Sequence, residues 1–284
     1  MTVHSDRFLG NRAEQEGGGF MVYGGTEVLL TNVRVSCNTA RNGGGLMVLL
    51  SDSSDDSQLD LRCSEVTANG GLPDSKALQA CLDVLDSAEA KQPAGFTAAD
   101  KPDVLLAAVA AASAGSSSGS SSSASSADGA AGQMALGSAA AAVAEKGGGL
   151  YVAADQKAFV SGSVISGNRA SSSGAGVYLD RKALLQLRGA AAAAAVATGS
   201  SSSVVGSAVS YNNCTGGSGG GAFMDESSEV DAADSTWSNN QVRVVRNWFQ
   251  TADYVLGGRG AFMDESSEVD AADSTWSNNQ VRVV

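Results

Sequence analysis

Residues 8–20 read FLGNRAEQEGGGF: Phe8 is followed three places on by Asn11, and about six places later Gly17-Gly18-Gly19 leads into Phe20. The phrase returns as Val35-Ser36-Cys37-Asn38 and Gly43-Gly44-Gly45-Leu46, so the glycine runs begin 26 residues apart. It returns again at Gly147-Gly148-Gly149-Leu150-Tyr151-Val152, at Gly174-Ala175-Gly176-Val177-Tyr178-Leu179 and at Gly219-Gly220-Gly221-Ala222-Phe223-Met224. Between copies lie short β-branched or apolar runs such as Phe20–Tyr23, Glu27–Val33 and Gln58–Arg62, each bounded by turn residues. A period of 26–27 residues with two or three short strands and no helix per unit predicts an all-β chain. Its expected architecture is a right-handed parallel β-helix, a pectin-lyase-like solenoid. Leucine-rich repeats share the length but want Leu at fixed places and a helical arm, and helical repeats need longer units of helical spacing.

In such a stack each coil pairs in parallel with the coils above and below, and like residues form columns. Asn11, Asn38, Asn69, Asn168, Asn212, Asn240 and Asn279 make one column, expected to be an amide ladder in which each side chain bonds the next. The residues three places earlier, Phe8, Val35, Val66, Ile165, Val209, Trp237 and Trp276, are expected to fill the interior. On this reading Asn168→Ala costs about 1–3 kcal/mol by leaving a buried partner unsatisfied.

The coils occupy 1–69, 147–188 and 204–245. Residues 70–146 are expected to be an insertion: Leu78, Cys81, Leu82 and Leu85 fall on one helical face, and the Ser/Ala/Gly tract 115–132 lacks the apolar surface to order itself. Residues 189–203 are a second Ala/Ser-rich insertion expected to be disordered, and 246–259 a connector. Gly221–Val245 recurs residue for residue at Gly260–Val284, offset by 39, either a recent duplication or an assembly error. The pattern already begins at Phe8 and stops in mid-coil at Val284, so the chain reads as a fragment; uncapped ends would allow end-on association.

Composition narrows the function classes. Aromatics are 5% of 284 residues, too few for a compact core but enough for a solenoid, whose units only cover their neighbours. The net charge of −12 disfavours nucleic acid and anionic membrane surfaces as partners. No apolar stretch is long enough to span a membrane, and no leader is visible at the N-terminus. Cys37, Cys63, Cys81 and Cys214 have no metal-ligand spacing. Cys37 and Cys63 lie one repeat apart and raise an inter-coil disulfide, although they sit one and six places before their repeat Asn and so need not stack.

The pairing of Gly220-Gly221-Ala222-Phe223 with tetrapeptides such as Phe8-Leu9-Gly10-Asn11 resembles the repeats of chlamydial polymorphic outer membrane proteins. The Ala/Ser tracts resemble those of algal surface or secreted proteins. The resemblance spans the coils but not the insertions, and implies an extracellular or cell-surface β-helix linked to adhesion, with protein or glycan partners. The signal sequence and membrane barrel of the chlamydial proteins have no counterpart in these residues.

Chemistry is sparse. The densest acidic cluster is Asp225, Glu226, Glu229, Asp231 and Asp234, doubled at Asp264, Glu265, Glu268, Asp270 and Asp273. Its carboxylates could hold Ca²⁺, but the spacing fits no calcium loop and also suits a solvated turn. His4, the single histidine, is read as lying outside the repeats, which excludes histidine-based catalysis on the solenoid. Arg169, Arg181 and Arg188 near Asp180 could form a lyase-like group or be ordinary turn charges. Trp237 and Tyr178 could stack on sugars if exposed, but suit core columns better. No glycine run is followed by a phosphate-loop Lys-Ser/Thr. The expected function is therefore a non-enzymatic scaffold with no required cofactor; the alternative is a polysaccharide lyase or glycosidase of the same fold.

Overall fold

The computed structural model describes residues 1–49, 57–71, 143–189 and 206–244, together with 79, 81, 83, 261–263, 267–270, 274–277 and 279–283. The expectations for the helix at 75–90 and the tracts at 115–132 and 189–203 fall almost wholly outside these residues; Gln79, Cys81 and Asp83 are helical. All other regular structure described is strand, and every strand pairing is parallel.

Four sheets are visited in a fixed order. Sheet I comprises Thr2–His4, Glu27–Thr31, Gln58–Arg62, Lys157–Ser161, Leu184–Arg188, Glu229–Ala232 and Glu268–Asp270. Sheet II comprises Arg7–Leu9, Arg34–Ser36, Glu65–Thr67, Val164–Ser166, Ser207–Ser210, Ser235–Ser238 and Thr275–Ser277. Sheet III comprises Arg169–Ala170, Asn213–Cys214, Gln241–Val244 and Gln280–Val283. Sheet IV comprises Phe20–Tyr23, Leu46–Leu49, Leu150–Val152, Val177–Leu179, Ala222–Met224 and Ala261–Met263. The stack resumes in register across the long insertion: Asp60 lies beside Phe159, Val66 beside Ile165, and Met47 beside Tyr151. The duplicated segment lies on its twin, Phe223 beside Phe262 and Trp237 beside Trp276.

Alternation places one face of each sheet inward. Leu30, Leu59, Leu61, Val66, Leu150, Ile165, Leu179, Leu187 and Trp237 form a single continuous core. Corners need a reversal that an ordinary residue resists, and a left-handed residue supplies it. The position before the ladder Asn has positive φ in every fully described coil: Gly10, Cys37, Ala68, Gly167, Tyr211 and Asn239.

Two sequence expectations are corrected. Thr2–His4 is the first strand of sheet I, with His4 beside Thr31, so the histidine is inside the repeat rather than outside it. Cys37 is bonded to Cys81, not to Cys63, which is free and exposed. Cys37 and Cys63 stand at different corners of their coils, one before sheet III and one between sheets I and II, so coil stacking does not bring them together.

Candidate binding faces and the ladders that position them

The Asn column forms a continuous chain of side-chain bonds. Nδ2 of Asn11, Asn38, Asn69, Asn168, Asn212 and Asn240 each donates to Oδ1 of the next Asn at 3.0–3.1 Å. The same Oδ1 also accepts the backbone N–H of the preceding Asn, at 2.8 Å from Asn11 and 3.0 Å from Asn168. The second Nδ2 hydrogen of Asn38, Asn69, Asn168, Asn212, Asn240 and Asn279 goes to the carbonyl of Phe8, Val35, Val66, Ile165, Val209 and Trp237 respectively. This explains the three-place spacing: the residue that fills the core also offers its carbonyl to the Asn of the following coil.

The glycines protect this arrangement. A Cβ on Gly19, Gly149 or Gly176 would stand 2.8 Å from Nδ2 of Asn38, Asn168 or Asn212. The first glycine of each run has a different role. Gly147 and Gly174 have φ of +61°, and a Cβ there would meet Cβ of Tyr151 at 2.8 Å and of Tyr178 at 2.9 Å.

Those tyrosines mark a feature that sequence reading missed. On the outer face of sheet IV, Tyr151, Tyr178 and Phe223 stack with successive ring centroids 5.1 Å apart and planes 7° apart. Tyr151 Oη donates to Asp180 Oδ2 at 2.8 Å, and Tyr178 Oη donates to Asp225 Oδ2 at 3.2 Å. Lys146 lies 4.6 Å from the Tyr178 ring centroid and donates to its hydroxyl at 2.9 Å. Burial, reinforced by the neighbouring carboxylates, pushes both phenols well above their ordinary pKa. The other oxygens of Asp180 and Asp225 accept the N–H of Arg181 and Glu226 at 2.8 and 2.9 Å. Both carboxylates therefore clamp a turn to a ring of the preceding coil. The sequence signal was an aromatic in the middle of a three-residue apolar strand, where alternation turns it outward.

The acidic cluster is divided. Asp225 serves Tyr178, whereas Asp231 stands on the outer face of sheet I, paired with Arg188. Among the described residues, no three His, Cys, Asp or Glu side chains form a group that could hold a metal ion. Nor do the three arginines meet at Asp180. Arg169 is on sheet III, where burial lowers its pKa; Arg181 lies in an exposed turn; Arg188 is on sheet I. Trp237 and Tyr178 are 0% and 2% exposed, so neither presents a face to a sugar.

The outer face of sheet I carries charged and amide groups beside Leu29, Phe159 and Leu184. It carries Asp60 and Arg62, joined in a chelated pair with Nε 3.0 Å from both carboxylate oxygens. Further along the same column stand Phe159, Gln186, Asp231 and Asp270, in register. Its last two rungs align Glu229 with Glu268 and Asp231 with Asp270. The arrangement can present charged and amide groups at the regular spacing of parallel strands, about 4.8 Å.

Comparison with protein-family models, curated proteins and solved structures found no match to the chain.

Proposed function

We propose that this chain is a right-handed parallel β-helix acting as a non-enzymatic scaffold, outside the cell or at its surface, that binds glycans or proteins through its outer faces. The cyclic visiting of four parallel sheets supports the solenoid, and the strong preference of parallel crossovers for one hand supports right-handedness. The Cys37–Cys81 disulfide favours an oxidising compartment, in keeping with an extracellular location and the Pmp-like resemblance. The observation that carries the binding role is the outer face of sheet I: its in-register columns hold the ion pairs Asp60–Arg62 and Arg188–Asp231 among Leu29, Phe159 and Leu184, a mixed polar and apolar face that suits a partner with its own repeat, as a glycan has. Binding to arrays of glycans and cell-surface extracts tests it. Retention that weakens with Arg62→Ala or Arg188→Ala is expected; no retention on any glycan or extract overturns it.

A polysaccharide-active enzyme is the second reading, favoured by Glu229, Asp231, Glu268 and Asp270 sharing one outer face over two rungs. Turnover of pectin or alginate, lost in Asp231→Asn, would establish it in place of the scaffold.

A further inference from the structure

We propose that Asn213 is an N-glycosylation site, so that sheet III carries a covalent glycan and the ligand-binding role falls to the other faces. The proposal rests on the extracellular reading above. Asn213-Cys214-Thr215 has the acceptor pattern Asn-x-Thr with x other than Pro. No other Asn of the chain is followed two places on by Ser or Thr.

The fold separates this Asn from its neighbour. Asn212 is fully buried in the ladder: its Nδ2 donates to Asn240 and to the Ile165 carbonyl, and its Oδ1 accepts from Asn168. One residue on, alternation sends Asn213 to the opposite face, and Cys214 then returns inward to pack with Ala170 and Ala175. Asn213 is half-buried, in register between Arg169 and Gln241, and Thr215 is exposed. Its backbone N–H is used, donating to the Asn168 carbonyl at 2.9 Å. Its side-chain amide has no hydrogen-bond partner among the described residues. A glycan there displaces no contact of the ladder or core. Cys214 is a free buried thiol, so the acceptor strand is not tied into a disulfide.

In the secretory pathway the co-reactant is an oligosaccharide carried on a lipid diphosphate. The Asn213 Nδ2–C1 bond forms, the C1–oxygen bond to the diphosphate breaks, the lipid diphosphate leaves with the electron pair, and Nδ2 releases a proton. Transfer occurs on the extended chain, so the fold's requirement is only that the finished conjugate be accommodated.

The test is expression of the full chain behind an added secretory leader in eukaryotic cells, reading cells and medium together. The expected result is a discrete mobility shift that collapses on peptide-N-glycosidase treatment in heavy-oxygen water, leaving labelled Asp at position 213. The shift is absent from Asn213→Gln and from Thr215→Ala. A pool that is unshifted, with the Asn213 peptide unmodified, overturns the proposal. Because addition precedes folding, a variant that folds poorly still reports. Because the added leader imposes entry to the secretory pathway, unglycosylated chain counts against Asn213 alone; the extracellular reading is tested apart from it, by locating the natural chain in its own cells, and an intracellular location counts against that reading alone.

Discussion

Removing the Asn168 side chain is the sharpest perturbation of the ladder. Asn168→Ala deletes the Nδ2 bonds to Val66 O and Asn212 Oδ1, both 3.0 Å. It also deletes the Oδ1 that accepts Asn69 N–H at 3.0 Å and Asn69 Nδ2 at 3.1 Å. Asn69 is 1% exposed, so water cannot replace that acceptor without opening the stack. An orphaned buried backbone donor costs about 1–3 kcal/mol and each of the three further lost bonds about 1 kcal/mol, which together predict about 4–6 kcal/mol. That exceeds the sequence-based figure because one Asn serves three neighbours. Asn11→Ala is the internal control: Asn11 is exposed, and its side chain donates one bond, at 3.1 Å. It should cost under about 1 kcal/mol. Urea unfolding followed by circular dichroism gives both values from the midpoint at constant m. Equal shifts for the two variants, or an Asn168→Ala loss below about 1 kcal/mol, would refute the argument that burial and shared acceptors give the ladder its strength.

Further outcomes follow from the same contacts. Gly149→Ala pushes a methyl against the Gly176 carbonyl and the Asn168 amide and should lose about 1–3 kcal/mol, as for other overpacked sites; an unchanged midpoint would mean that the third glycine is dispensable. Tyr151 and Tyr178 have raised pKa values, so their contribution is complete below the ordinary phenol value of about 10 and disappears as pH rises through the folded values. Absorbance at alkaline pH should therefore show these two phenols ionising late, together with unfolding, and Tyr178→Phe should flatten that loss of stability. Simultaneous titration of all five tyrosines in folded protein would contradict it. Cys63 is exposed, whereas Cys214 is buried with its thiol pKa pushed up by desolvation, so a thiol reagent should label Cys63 in the native state and Cys214 only in denaturant. Rapid native labelling of Cys214 would place it elsewhere.

The glycine runs and the Asn column were legible because both are backbone requirements: a left-handed corner and an amide with fixed partners leave few residue choices. Other features left weaker traces. Thr2–His4 is a three-residue strand with a single inward side chain, Val3, too short for a pattern. The strands of sheet III are shorter still at Arg169–Ala170 and Asn213–Cys214, which is why each coil read as two or three strands. Corners at Cys37, Ala68 and Tyr211 use left-handed backbone without glycine, so no residue type announces them. The Cys81 partner of Cys37 sits 44 residues away inside the insertion, beyond the reach of any periodic argument. The outward tyrosine stack was hidden because Leu150-Tyr151-Val152 reads as uniformly apolar; only the in-register strand pairs separate its two faces.

The strands up to Thr67 and those from Leu150 onward stack in register, with like positions in columns. Paired cysteines test this register most directly. In a Cys63→Ser background, Asp60→Cys with Phe159→Cys puts two thiols on adjacent rungs of the same outer face, 99 residues apart in sequence. Mild oxidation should join them, and peptide mapping should find the 60–159 link, while Asp60→Cys with Ala158→Cys, which face opposite sides, stays reduced. Linkage in the second pair and not the first would mean that the coils return out of register, and the account of columns and ladders would fall.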